Sequence, residues 1–152
     1  MKEKIVGMKP GRALDIEVAL RVMGFIWLKH LLQFSAELAV KWLGTPADIE
    51  QSGGVYIALT KESELISLKE RENFDEAVPK FSTEVEDAKQ VAEHMKTLGY
   101  TYIFENRIEP EGLLYYGCFV KAGCAPEAMT QGFLTEPEAI VKAALAAVLP
   151  EE

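Results

Sequence analysis

Two short segments carry residue types from which binding chemistry can be built, Lys9-Pro10-Gly11-Arg12 and Lys80-Phe81-Ser82-Thr83. Each sets a cation beside the start of an expected helix. Unpaired backbone N–H groups and the positive end of the helix dipole make such starts receptive to phosphate. Arg12 can fork onto an anion, Ser82 and Thr83 can donate hydroxyls to it, and Phe81 offers a face for a base. Lys9, Arg12, Lys80, Phe81, Ser82 and Thr83 are therefore the candidate ligand-binding residues. The same side chains also have an ordinary use. Arg12 can pair with Asp15 or Glu84, Phe81 can staple a helix start, and Ser82 or Thr83 can cap it.

Other chemistry finds less to work with. His30 and His94 stand alone, and Cys118 and Cys124 do not match zinc-knuckle spacing, so no metal and no cofactor is expected. The chain contains no Gly-x-Ser-x-Gly elbow, no P-loop and no Gly-x-Gly-x-x-Gly. Its acidic residues form no pair that stands out from a charged surface. No catalytic residue is assigned, and the expected activity is binding rather than turnover.

The elements that must position these residues follow from periodicity. Residues 10–23 read as a helix from Leu14, Val18 and Val22, with Asp15 and Glu17 near the positive dipole end and Gly24 as a stop. In residues 27–43 the polar positions Lys29, Gln33, Glu37 and Lys41 recur every four residues. That spacing predicts a second helix with one narrow solvated stripe. A helix apolar on so many sides is either a central core helix or one covered by a second subunit. On the latter reading Trp27, Leu31, Leu38 and Trp42 form a homo-oligomer interface. Residues 45–54 read as a loop, 55–60 as a strand, and 61–77 as a charged surface excursion, partly strand and partly loop.

A second amphipathic helix is expected after Pro79, with a capping box from Thr83 to Glu86 and an apolar face of Ala88, Val91, Met95 and Leu98. Strands follow at 100–108 and 113–121, with a further short one at 128–134. Thr135-Glu136-Pro137-Glu138 is another capping box, opening a last helix that carries Ile140, Val141, Ala144, Leu145 and Val148. Helices at both ends with antiparallel strands between predict an α+β domain, an antiparallel sheet sandwiched by helices.

The 152 residues suit a single domain over 1–152, and 49% hydrophobic with 26% charged residues describes a soluble globular chain. A net charge of −8 argues against duplex nucleic acid as a partner. Residues 25–43, the most hydrophobic stretch, carry too many charges for a membrane span. No signal peptide is visible at the start of the chain, and the two cysteines read as free thiols, so the expected compartment is the bacterial cytoplasm.

Residues 11–24, residues 78–84 and the closing Thr135-Glu136-Pro137-Glu138-Ala139-Ile140-Val141-Lys142-Ala143-Ala144-Leu145 resemble the phage ABA-sandwich domain family of small phage and prophage proteins. The resemblance covers roughly residues 5–24 and 78–148, and leaves 25–77 as an enlargement relative to short members. It implies the same sandwich architecture and a phage setting inside a bacterial host, without a reaction. The function expected from the two together is a phage-encoded sponge. Such a protein would hold a small anionic, nucleotide-like signal of antiviral defence without cleaving it. The alternatives are a protein–protein inhibitor or interaction module working through residues 27–43, and a small hydrolase of such a signal.

Overall fold

The structure, a computed structural model, describes residues 2–31, 40–71, 78–126, 129 and 131–150. In chain order these form α1 (Lys2–Val6), α2 (Arg12–Arg21), β1 (Ile26–His30), β2 (Val40–Gly44), α3 (Pro46–Gln51), β3 (Tyr56–Ala58), α4 (Glu62–Ser67), β4 (Lys69–Glu70), α5 (Val85–Thr97), β5 (Tyr100–Glu109), β6 (Gly112–Lys121) and α6 (Glu136–Val148). The class is α+β with antiparallel sheets. The strands divide between two sheets, and the chain divides into two compact units, Met1–Met23 with Lys80–Glu152, and Gly24–Pro79.

The first unit is organised around α6. Its residues from Pro137 to Leu145 are all buried, and the helix packs against α1, α2, α5 and β6. Alanine at 139, 143, 144, 146 and 147 lets those neighbours approach closely. The hydroxyl Oγ of Thr135 accepts the Glu138 N–H at 3.4 Å, and Pro137 occupies the first turn, as the sequence predicts. Helix α5 buries Ala88, Val91 and Met95 at helical spacing and ends before Gly99 at φ +92°. Strands β5 and β6 form an antiparallel ribbon in register from Tyr100↔Lys121 to Glu109↔Gly112. Glycine at 117 is required by packing, because a Cβ there would lie 2.8 Å from the Tyr102 hydroxyl. Of the expected strand at 128–134 the structure shows one bridge, Phe133 to Tyr115; residues 127, 128 and 130 lie outside the described set.

The expected capping box from Thr83 to Glu86 is not formed. Helix α5 starts at Val85 after Glu84, with no side-chain cap. Residues 81–83 instead make a turn in which the Lys80 C=O accepts from the N–H groups of Thr83 and Glu84. The Asp87 carboxylate accepts the Lys80 N–H at 2.8 Å and ties this turn to the helix.

The second unit corrects the sequence reading most. Residues 27–31 and 40–43 are not helical: β1 and β2 pair antiparallel, with Trp27 opposite Leu43 and Leu28 opposite Trp42, in a sheet ordered β3-β1-β2-β4. A polar position every four residues is also a multiple of the strand period of two, so Lys29 and Lys41 fit one pattern as well as the other. Both lysines are used to hold α4, which the sequence suggested as strand and loop. Lys29 pairs with Glu64, and the Lys41 ammonium donates to the Leu65 carbonyl while lying 4.7 Å from the Trp27 ring centroid. Trp42, His30 and Tyr56 form an aromatic triangle with centroids 5.0–5.2 Å apart. The Asp48 carboxylate accepts the Thr45 N–H at 2.8 Å and caps α3 in what was expected to be loop.

The interface reading loses its basis with the helix. Trp42 is 7% exposed and belongs to the core, and Leu31 is 55% exposed just beyond β1. Leu38 lies outside the described residues. Trp27 and Trp42 lie on paired strands, and they share no helical face with Leu31.

Candidate functional site

The two segments singled out from the sequence do meet, and the meeting point is the Asp15 carboxylate. Asp15 sits in the first turn and a half of α2 and is fully buried. Its Oδ1 accepts the Ser82 N–H at 2.7 Å and the Ser82 hydroxyl at 2.6 Å. Its Oδ2 accepts from Nη1 of Arg12 at 2.8 Å. The Gly11 N–H donates to Ser82 Oγ at 2.9 Å, which closes the knot between residues 71 apart in sequence. Both Asp15 oxygens and the Ser82 N–H and hydroxyl are directed at one another or at Arg12 and Gly11, and a buried network of that kind fixes structure. An incoming anion would meet the Asp15 charge, so the cluster is poorly suited to phosphate.

The remaining candidates scatter around this knot. Phe81 is fully buried, the staple-like alternative, so it presents no face to a base. Lys9, Lys80 and Thr83 are exposed. The structure thus brings Arg12 and Ser82 together around Asp15 and leaves Lys9, Lys80 and Thr83 on the surface. Arg12 adopts the Asp15 pairing that the sequence offered as one alternative.

A different feature of the first unit has the shape of a binding site. A cleft of about 610 Å³ opens beside β6 and the C-terminal half of α6. Its size falls within the roughly 300–1,000 Å³ typical of small-molecule sites. The wall from α6 is built of Ala143, Ala146 and Ala147, whose small side chains leave the space open. Tyr100, Phe119 and Phe133 contribute aromatic rings, and Lys2, Lys121 and Lys142 are the charged residues of the wall, the last of them paired with Glu138. Among the described residues the lining contains three lysines and neither Asp nor Glu. In a chain with 24 acidic against 16 basic residues that is a marked local reversal.

Lys142 is 5% exposed and is stabilised in two ways. Its ammonium donates to Glu138 at 2.6 Å, one turn back along α6, and lies 5.0 Å from the Phe133 ring centroid. The exposed Lys121 ends β6. The sequence carried one signal of this wall. Lys142 is the single charged residue between Ala139 and Leu149, four residues after a glutamate, a spacing that forms ion pairs on a helix. Nothing in the sequence brings Lys2 and Lys121 to it.

Groups on the ribbon have shifted proton affinities. Burial holds the Tyr102 hydroxyl above its ordinary pKa of 10.0, assisted by the negative charge of Glu136. That hydroxyl is buried with no hydrogen-bond partner among the described residues. A hydrogen bond from Arg107 lowers the pKa of the exposed Glu105. Cys118, half-buried, and Cys124, exposed, are free thiols that also line the cleft. Among the described residues no three His, Cys, Asp or Glu side chains converge as a metal site. No helix among them is long and apolar enough to cross a membrane.

Family models, curated proteins and solved structures offer no match to this chain.

Proposed function

We propose that this is a non-catalytic binding protein whose ligand is a small anionic, nucleotide-like molecule held in the cleft beside α6. The observation that carries the reading is the composition of the cleft wall, lysines and aromatic rings without a carboxylate among its described residues, in a strongly acidic chain. Lysine ammonium groups recognise phosphate, and the rings of Tyr100 and Phe133 offer faces on which a base can stack. The Ser82 hydroxyl is buried and donates to Asp15. The resemblance of residues 5–24 and 78–148 to phage ABA-sandwich proteins supplies the setting. In its sharpest form the protein is a phage-encoded sponge in the bacterial cytoplasm, holding a nucleotide signal of host defence intact.

Calorimetric titration against a panel of cyclic and linear nucleotides tests the reading, with recovered ligand examined by mass spectrometry. A charge-assisted contact contributes about 1.5–3 kcal/mol, so Lys121→Glu should weaken binding by roughly ten- to a hundredfold. Ala147→Leu should block the cleft without changing its charge. Arg12→Ala should leave affinity unchanged. Hydrolysed ligand would favour the hydrolase alternative, and loss of binding confined to Arg12→Ala would return the site to the helix starts.

A further inference from the structure

The outer edge of β5 has a hydrogen-bonding phase that leaves its even-numbered residues facing outward. The Ala122 N–H donates to the Gly99 carbonyl at 3.1 Å, in the register that pairs Tyr100 with Lys121. Antiparallel residues alternate between bonding inward and outward. The odd-numbered residues of β5 therefore bond to β6, and Tyr102, Phe104, Asn106 and Ile108 direct N–H and C=O to the opposite edge. The other side of the ribbon agrees. Tyr115, opposite Asn106, exchanges both its main-chain bonds with Phe133 at 2.8 Å, away from β5. Among the described residues no strand pairs with the outer edge of β5. Phe104, Ile108 and Leu113 share one face of this ribbon and are 40%, 90% and 46% exposed. A long edge strand with exposed apolar residues templates pairing unless something covers it.

We propose that a second copy of this chain covers it, β5 pairing antiparallel with β5 about a two-fold axis through Asn106. The choice of occupant rests on the self-complementarity of the strand. In this register Glu105 stands opposite Arg107 of the copy twice over, and Phe104 stands opposite Ile108 twice. Shifting the axis to residue 105 or 107 sets two glutamates or two arginines face to face, which is destabilising. The axis through Asn106 also matches the outward phase, giving about six main-chain hydrogen bonds from the pairs 106/106, 104/108 and 108/104. Glu105 and Arg107 already bond at 2.9 Å within one chain, so both charges are held on the face where the copy would meet them. The result is one continuous four-stranded sheet, an isologous dimer. This dimer uses none of the lysines of the cleft, so its failure and the failure of the ligand reading are separable.

Sedimentation of the full chain from micromolar to near-millimolar concentration should show a reversible dimer. Ile108→Lys changes a residue 90% exposed, and should weaken association roughly tenfold or more while leaving the fold intact. Asn106→Pro removes an outward N–H, tolerated on an edge strand, and should give folded monomer. Asn106→Cys, in a background with Cys118 and Cys124 replaced by serine, should form a covalent dimer on mild oxidation. A residue on the axis faces its own copy at about 5.5 Å between Cα atoms, within disulfide reach. Monomer at every concentration, undiminished association in Ile108→Lys, or no cross-link at 106 would each overturn the proposal. Monomer together with pairing to an added extended peptide would assign the edge to a different protein.

Discussion

Replacing Asp15 tests whether the meeting of the two segments is a structural knot. In Asp15→Ala the Ser82 N–H loses its acceptor inside a fully buried site, while the Ser82 hydroxyl keeps the Gly11 carbonyl at 3.1 Å. That stranded donor costs about 1–3 kcal/mol. The Arg12 contact adds less, since that side chain is 32% exposed and partly screened. The expected loss is about 2–4 kcal/mol, set against the roughly 5–15 kcal/mol of a typical domain. Asp15→Asn keeps one carbonyl oxygen for the Ser82 N–H and should lose only about 1–2 kcal/mol. The probe must report the right unit. Trp27 and Trp42 are the only two tryptophans and both belong to residues 24–79, so their fluorescence is unsuitable. Hydrogen exchange of the buried α6 amides reads the first unit directly. Protection within about 1 kcal/mol of the parent protein in Asp15→Ala would refute the reasoning.

Tyr102→Phe should be neutral or stabilising near pH 7, because it removes a buried hydroxyl without a partner among the described residues. The folded state raises the Tyr102 pKa, so its contribution is fully present below the ordinary value of 10.0 and is lost as pH rises beyond it; alkaline unfolding curves of parent and Tyr102→Phe should diverge there. Lys142→Met leaves Glu138 buried and unpaired and should cost about 3–5 kcal/mol, whereas Glu138→Gln with Lys142→Met should recover much of the loss. Trp42→Ala should destabilise the second unit by about 3–5 kcal/mol, read by thermal unfolding, without changing the oligomeric state.

The elements legible in the sequence were those with a long period and explicit stops. Helices α2, α5 and α6 lie within a few residues of their expected spans, and β5 and β6 lie where aromatic and β-branched runs flank Pro110-Glu111-Gly112. What failed was burial inferred from one-dimensional pattern. The helix hidden on several sides is α6, recognisable by its alanines and its lone lysine, while residues 26–30 and 40–44 are strands where the polar spacing imitates a helix. Short elements such as α1 and α4 lack the length for a periodic signal. The site was legible only in part. Asp15 and Ser82 stand 67 residues apart, and their hydrogen bonds exist only once the chain has folded. The cleft is assembled from both ends of the chain, from Lys2 to Pro150, so its lysines are scattered in sequence and gathered in space.

The most direct measurement of the binding reading is a two-dimensional amide NMR titration with the tightest nucleotide from the calorimetric panel. The expected result is saturable shifts at residues 117–121 and 142–149, little change at residues 9–15 and 80–83, and a ligand spectrum unchanged after prolonged incubation. Shifts centred on Arg12 and Ser82, appearance of hydrolysis products, or no saturable shift with any nucleotide would contradict it.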